Sequence, residues 1–213
     1  MRPSGLSCAK GNVRPRYLSA AQIAALAAEF RERYAPGAVG AIDIEAILEH
    51  DLGLQIVPRK NLARITGKKG WLSFDGRSIS VDEGLMCGSL GEYRFTITHE
   101  GAHFVLHREL LPEHPPQNEE DFWAFHNQWS EKDQWFLEWQ AREWAGQVLV
   151  PPDELRHVFE LATARALRIF GRPIEAMQLY VAQEVAEHFG VTAACVSVRI
   201  SKDGLWRAIG VAA

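Results

Sequence analysis

The run His99-Glu100-Gly101-Ala102-His103 sets two imidazoles four residues apart with a carboxylate beside the first. On an α-helix, residues i and i+4 lie one above the other, so His99 and His103 project from one face and can share one ion. Imidazole nitrogens bind Zn²⁺ at about 2.0–2.1 Å. Glu100 is turned by about 100° from His99, because a helix has 3.6 residues per turn. It can reach a water beside the ion without becoming a ligand, which is the place of a general base. Zinc lowers the pKa of such a water towards about 7, so Glu100 would take its proton during attack on a peptide carbonyl. The flanking RFTIT and FVLH continue the helix, and Phe95, Ala102, Leu106 and Leu110 give it an apolar side. The plainer reading of the same residues is an amphipathic helix with two solvated histidines.

Catalytic zinc takes three protein ligands and keeps a fourth position open. Glu138, in EWQAREWAGQVLVP, is the expected third ligand. Ala141 and Ala145 follow it at i+3 and i+7, and small residues there let its helix approach the HExxH helix closely. Glu143 is the rival, with Glu119, Glu120, Asp121 and Asp133 behind it, each read as a solvated charge. The expected site is therefore a Zn²⁺ cofactor on His99, His103 and Glu138, with Glu100 catalytic. His107 continues the i, i+4 series, as a fourth ligand, an oxyanion donor or a cap. A fourth protein ligand would close the site, so a hydrogen-bonded structural histidine is the preferred reading. Tyr93 and His126 are further candidates for stabilising a transition state, and nothing in the sequence selects either.

These residues need elements to hold them. Ser19 reads as the N-cap of a helix through AAQIAALAAEFRERY, stopped by Pro36-Gly37. A second helix starts at Asp43 and closes at Gly53. LQIVP reads as a strand, and WLSFD with SISVD flank Asp75-Gly76-Arg77 as a hairpin. Helices are expected at about 90–109, 130–149, 152–170, 173–189 and 192–201, and the prolines at 112, 115 and 116 rule out a continuous helix between the first two. The fold class is α+β: N-terminal helices, a small and mostly antiparallel β-sheet, then a helical half carrying the HExxH helix and a helix-turn-helix-like C-terminal pair. Residues 1–17 read as a flexible tail, 18–151 as the metallopeptidase core, and 152–213 as a helical subdomain packed on it.

A formal charge of −4 gives no overall attraction to nucleic acid or anionic membrane. Cys8, Cys87 and Cys195 are odd in number and widely spaced, which points to a reducing compartment rather than a disulfide framework. There is no apolar run of the roughly 20 residues that span a bilayer. The expected location is the cytoplasm. RKNLARITGKK carries five cations and no acid, and reads as a solvated loop or, more sharply, a substrate-docking edge. Five of seven tryptophans fall between 123 and 144. Trp135 and Trp139 read as core, Trp123 and Trp129 as a lid or docking surface. AEHFGVTAACVSVRI has the outline of a helix-turn-helix, but Arg199 is the one cation of its second helix, so direct DNA binding is not the expected role.

Taken in order, IDIEAILEHDLGLQIVP, GWLSFDGRSISVD, RFTITHEGAHFVLH, EWQAREWAGQVLVP and FGVTAACVSVRI resemble the ImmA/IrrE family of metallopeptidases over about 42–200. In that family E-x-x-A-[ND]-x-[FW]-A-x-x-[LV]-L-[MV]-P follows HExxH. Its first Glu corresponds to Glu138, which the resemblance implies is the third ligand. Two positions depart. Gly101 stands where the family carries a larger residue, and glycine within a helix costs up to about 1 kcal/mol relative to alanine. Arg142 stands where the family has Asn or Asp, a side chain that would orient a ligand from behind. Arginine accepts no hydrogen bond, but its charge could pair with Glu138 at i, i+4 or steady an oxyanion. The resemblance implies hydrolysis of a specific protein regulator, typically a helix-turn-helix transcriptional repressor. The alternative is a non-proteolytic regulator that keeps the zinc site and acts by binding a partner repressor or DNA.

Overall fold

Ser19 opens the first helix, α1 (Ala20–Tyr34), through a capping box in which its hydroxyl accepts from Gln22 N–H and the Gln22 side chain accepts from Ser19 N–H. The computed structural model describes residues 14–171 and 175–209, so residues 1–13 of the expected tail lie outside the described residues. Residues 14–17, read from the sequence as part of that tail, lie along a later helix: Pro15 is buried and the Tyr17 ring meets Phe136 edge-on at 4.7 Å. Ile23, Ala27 and Phe30, spaced by helical turns, turn α1 inward.

Asp43 caps α2 (Ile44–Ala46), whose chain continues as one π-helical turn, Ile47–Asp51, before Gly53 reverses direction at φ +70°. The π turn had no sequence signal. Strands β1 (Gln55–Arg59), β2 (Gly70–Leu72) and β3 (Ser78–Asp82) form one sheet in the order β1-β3-β2. The hairpin expected around Gly76 pairs β2 with β3 antiparallel, with Gly76 at φ +63°. The sheet as a whole is mixed, however, because β1 pairs with β3 in parallel over five positions, from Gln55↔Ser78 to Arg59↔Asp82. The chain leaving β1 passes through α3 (Leu62–Thr66) and β2 before it returns, and that detour allows the parallel pairing. RKNLARITGKK therefore holds a short helix rather than an unbroken loop.

Asp82 caps the short α4 (Glu83–Gly88), and Ser89 caps α5 (Leu90–His107), which carries the HExxH run and tightens into a 3₁₀ turn over Arg108–Leu110. Beyond the prolines, Asn118 caps an additional helix, α6 (Glu119–Asn127), not expected from the sequence. Ser130 and Asp133 form a second capping box at the head of α7 (Glu131–Leu149). Helices α8 (Pro152–Phe170), α9 (Glu175–Phe189), α10 (Ala193–Lys202) and α11 (Leu205–Ala208) complete the described chain.

Helix α5 is the centre of the arrangement: the sheet lies against one side, α7 against the other, and α1 covers α7 from behind. One hydrophobic core runs from Leu18 to Trp206. Trp144 is its largest fully buried side chain and meets Phe30 edge-on at 4.8 Å, a contact worth about 0.5–1.5 kcal/mol beyond area burial. Gly101 gains a reason here. A Cβ on it would lie 2.6 Å from Leu48 Cδ2, so the glycine lets α5 settle on the π turn. Among the described residues no helix is long and apolar enough to cross a membrane.

Candidate metal centre

Helices α5 and α7 bring His99, His103 and Glu138 together. Nε2 of His99 and Nε2 of His103 are 3.3 Å apart. Glu138 lies 3.2 Å from the first through Oε2 and 3.5 Å from the second through Oε1. Two donors at tetrahedral corners, each about 2.0–2.1 Å from a common ion, stand roughly 3.3–3.4 Å from one another. The three separations are close to that spacing, the two to Glu138 being made by its two different oxygens, and the three side chains form a group that could hold one metal ion. Ala141 and Ala145, at i+3 and i+7 from Glu138 on α7, are both fully buried. The imidazoles of His103 and His99 hold the Glu138 carboxyl well below the usual carboxylate range, outweighing the opposite effect of burial.

His99, His103 and Glu138 line a cleft of about 760 Å³ between α5, strand β2 and the α6–α7 region. Glu100 lines it, one residue along from His99, and its Oε2 accepts the Leu72 N–H at 2.9 Å. A backbone donor on the edge strand thus orients the carboxylate. The sequence did not single out Gly70, yet it makes this possible. A Cβ there would stand 2.7 Å from Thr96 Cγ2 and 3.0 Å from Glu100 Cγ, so a larger residue would push β2 off α5. Lys68, Trp71, Phe74 and Phe125 form much of the wall, with Lys68 Nζ 4.4 Å from the centre of the Trp71 ring.

The other candidates divide clearly. Glu143, the rival ligand, is buried on a different face of α7 and bonded to Arg199 at 3.2 Å, to Gln147 at 3.0 Å and to Lys202. Asp133 belongs to the α7 capping box, and Glu119 accepts from Trp123 Nε1 on the surface. Glu120 and Asp121 start α6 and lie outside the donor group. His107 is buried, with burial the leading cause pushing its pKa down to about 3, and it hydrogen-bonds to His103 and Gln140. Tyr93 is buried in the core and does not line the cleft. The side chain of His126 lies outside the described residues.

Of the tryptophans, Trp129 lines the cleft, while Trp135, expected in the core, is 61% exposed. Arg142 reaches Glu138 at 3.7 Å, the i, i+4 pair anticipated for it. Arg199 is buried, its guanidinium held by Glu143, Gln147 and Asp203, so it faces the core and not a nucleic acid. Sequence gave no hint of that burial.

The model of the M78 peptidase family, described as an IrrE N-terminal-like domain, matches residues 86–201. That span runs from α4 to the end of α10 and covers more than half of the chain. The chain belongs to this family. For an M78 peptidase, metal dependence is typical, and His99, His103 and Glu138 are the group that could hold the ion. The match leaves out the helix and sheet segments before residue 86 that the sequence resemblance had included. Among solved structures, a Mycobacterium tuberculosis transcriptional regulator aligns at a TM-score of 0.54 and 19% identity, over 87% of this chain and 56% of that chain. The M78 chain thus spans a little over half of that regulator's length, and the likeness is one of fold. No curated protein matches the sequence.

Proposed function

We propose that this M78 family member is a zinc-dependent endopeptidase that hydrolyses a peptide bond in a specific protein regulator, a helix-turn-helix repressor being the expected class. The observation that carries the reading is the group of His99, His103 and Glu138 lining a cleft beside Glu100. His99, His103 and Glu138 would hold Zn²⁺, since two imidazoles and a carboxylate with one corner free is the donor set of hydrolytic zinc. The ion supplies Lewis acidity, making water easier to deprotonate and a carbonyl easier to attack. Glu100, aimed by the Leu72 N–H, takes the proton from the attacking water and returns it to the leaving amine. Edge strand β2 forms one wall of the cleft, and an extended peptide lying along that wall would come within reach of Glu100.

Glu100→Gln tests the assignment. The variant is expected to bind one zinc per chain by elemental analysis and to leave a co-encoded helix-turn-helix repressor uncut, where wild type cleaves it. Cleavage by the variant at the wild-type rate removes Glu100 from the chemistry. The second reading, a regulator that binds its partner without cutting it, is favoured by Arg142, whose contact with Glu138 competes with a metal for the carboxylate. It predicts that wild type and Glu100→Gln both capture the repressor intact.

A further inference from the structure

His103 turns Nε2 towards His99 and Glu138, and its other nitrogen, Nδ1, lies 3.1 Å from Nδ1 of His107. One of those two Nδ1 atoms must carry the proton and the other accept it. The choice is made at the far end of a chain of buried hydrogen bonds. Gln140, fully buried on α7, donates its amide N–H to the main-chain carbonyl of Arg16 at 3.0 Å. A carbonyl only accepts, so turning the amide over would set two oxygens face to face. Gln140 Oε1 therefore faces Nε2 of His107, at 3.3 Å. An amide oxygen also only accepts, which places a proton on that His107 nitrogen. His107 is buried and, among the described residues, has no carboxylate bonded to it, so its ring holds that one proton. Its Nδ1 must then accept, and His103 supplies the Nδ1–H.

We propose that Gln140 and His107, anchored on the Arg16 carbonyl, are positioning residues that hold His103 in the Nδ1–H tautomer and so present an unprotonated Nε2 to the metal. The proposal rests on the reading of His103 as a ligand. It also assigns a purpose to the segment before α1, whose backbone closes the chain of bonds. Among the described residues His99 has no such relay: its Nδ1 is buried and finds no hydrogen-bond partner there. Orientation from behind is thus applied to one ligand, where an outer-shell bond fixes both ring angle and tautomer.

The test begins with metal-free wild-type protein. Long-range ¹H–¹⁵N correlation of the imidazoles, with His103 assigned by its loss in His103→Ala, is expected to show a proton on His103 Nδ1, and His107 protonated at Nε2 and bare at Nδ1. Zinc competition against a chromophoric chelator follows. His107→Phe and Gln140→Leu are expected to weaken binding by about 10–100-fold, the usual effect of removing an outer-shell partner. His107→Asn, whose amide oxygen can accept from His103, recovers most of that loss, and Arg16→Ala, which keeps the carbonyl, is silent. His103 without a proton on Nδ1 in wild type overturns the proposal, as does unchanged zinc affinity in both His107→Phe and Gln140→Leu. If His103→Ala binds zinc as tightly as wild type, the ligand reading falls and takes the proposal with it. That failure is told apart from failure of the relay, because the tautomer is read without metal.

Discussion

Glu138 and Glu143 lie five residues apart on α7, and the helix puts them to opposite uses. Five residues turn a helix by about 140°, so one carboxylate faces α5 and the cleft while the other faces α10. Glu143 is surrounded by the chain's own cations and donors, Arg199, Lys202 and Gln147, and is satisfied within the fold. Glu138 meets two imidazole nitrogens and one exposed guanidinium, an arrangement that leaves it able to take an ion from outside. A buried carboxylate with its own counter-charges is structural. A carboxylate held beside two imidazole nitrogens is a candidate ligand.

Exchanging alanine into each position breaks that comparison most strongly. Glu138→Ala is expected to abolish stoichiometric zinc binding, while the metal-free protein unfolds close to the wild-type temperature. Glu143→Ala is expected to keep zinc but to leave the buried Arg199 short of a partner. Removing one member of a buried pair costs about 3–5 kcal/mol. Asp203 and Gln147 still hold Arg199, which places this variant near the lower end. For a chain of this size about 3 kcal/mol lowers Tm by roughly 6–12 °C, readable by calorimetry on metal-free samples. Equal zinc loss in both variants would mean that the two carboxylates are not separated in role.

Acid sharpens the same contrast with a smaller effect. Burial alone would raise the Glu143 pKa, but hydrogen bonds from Lys202 and Gln147 and the charges of Lys202 and Arg199 outweigh it, and the net shift is downward. A carboxyl whose folded pKa lies below its unfolded value adds stability that is fully present above the unfolded pKa. It is lost as pH falls through the folded one. Urea unfolding midpoints of wild type and Glu143→Gln should therefore differ most near neutrality and converge as pH falls below about 4.5, the ordinary value for the group. A gap that stays constant down to pH 3 would assign the stabilisation to packing and not to charge.

The division between legible and hidden features follows sequence distance. Ser19, Asp43 and Ser130 cap their helices through partners three residues away, so the helix starts were readable or nearly so. The spacing of His99, Glu100 and His103 is likewise local, and Ala141 and Ala145 pointed to the packing that brings Glu138 in. What escaped is held by distant partners. Arg199 meets Glu143 across 56 residues, and Gln140 meets the Arg16 carbonyl across 124. The parallel pairing of β1 with β3 skips over α3 and β2. Gly101 looked like a helix defect until Leu48, which it accommodates, came into view from the π turn.

Arg142 supplies the finest test of how the two carboxylates differ. Its side chain is 62% exposed and 3.7 Å from Glu138, against the buried Arg199 at 3.2 Å from Glu143. An exposed i, i+4 ion pair contributes only about 0.3–0.5 kcal/mol, because water screens the charges and the long side chain loses rotamer freedom. Arg142 also places a positive charge beside the position of an incoming cation. Arg142→Ala should therefore tighten zinc binding slightly, by no more than about twofold, since 1.4 kcal/mol is needed for a factor of ten. Competition with a chelator at low and moderate salt would show it, the gain shrinking as salt rises. A marked loss of affinity would reverse the conclusion: the guanidinium would then be orienting Glu138 for the metal, taking over from the side chain that the family pattern places there.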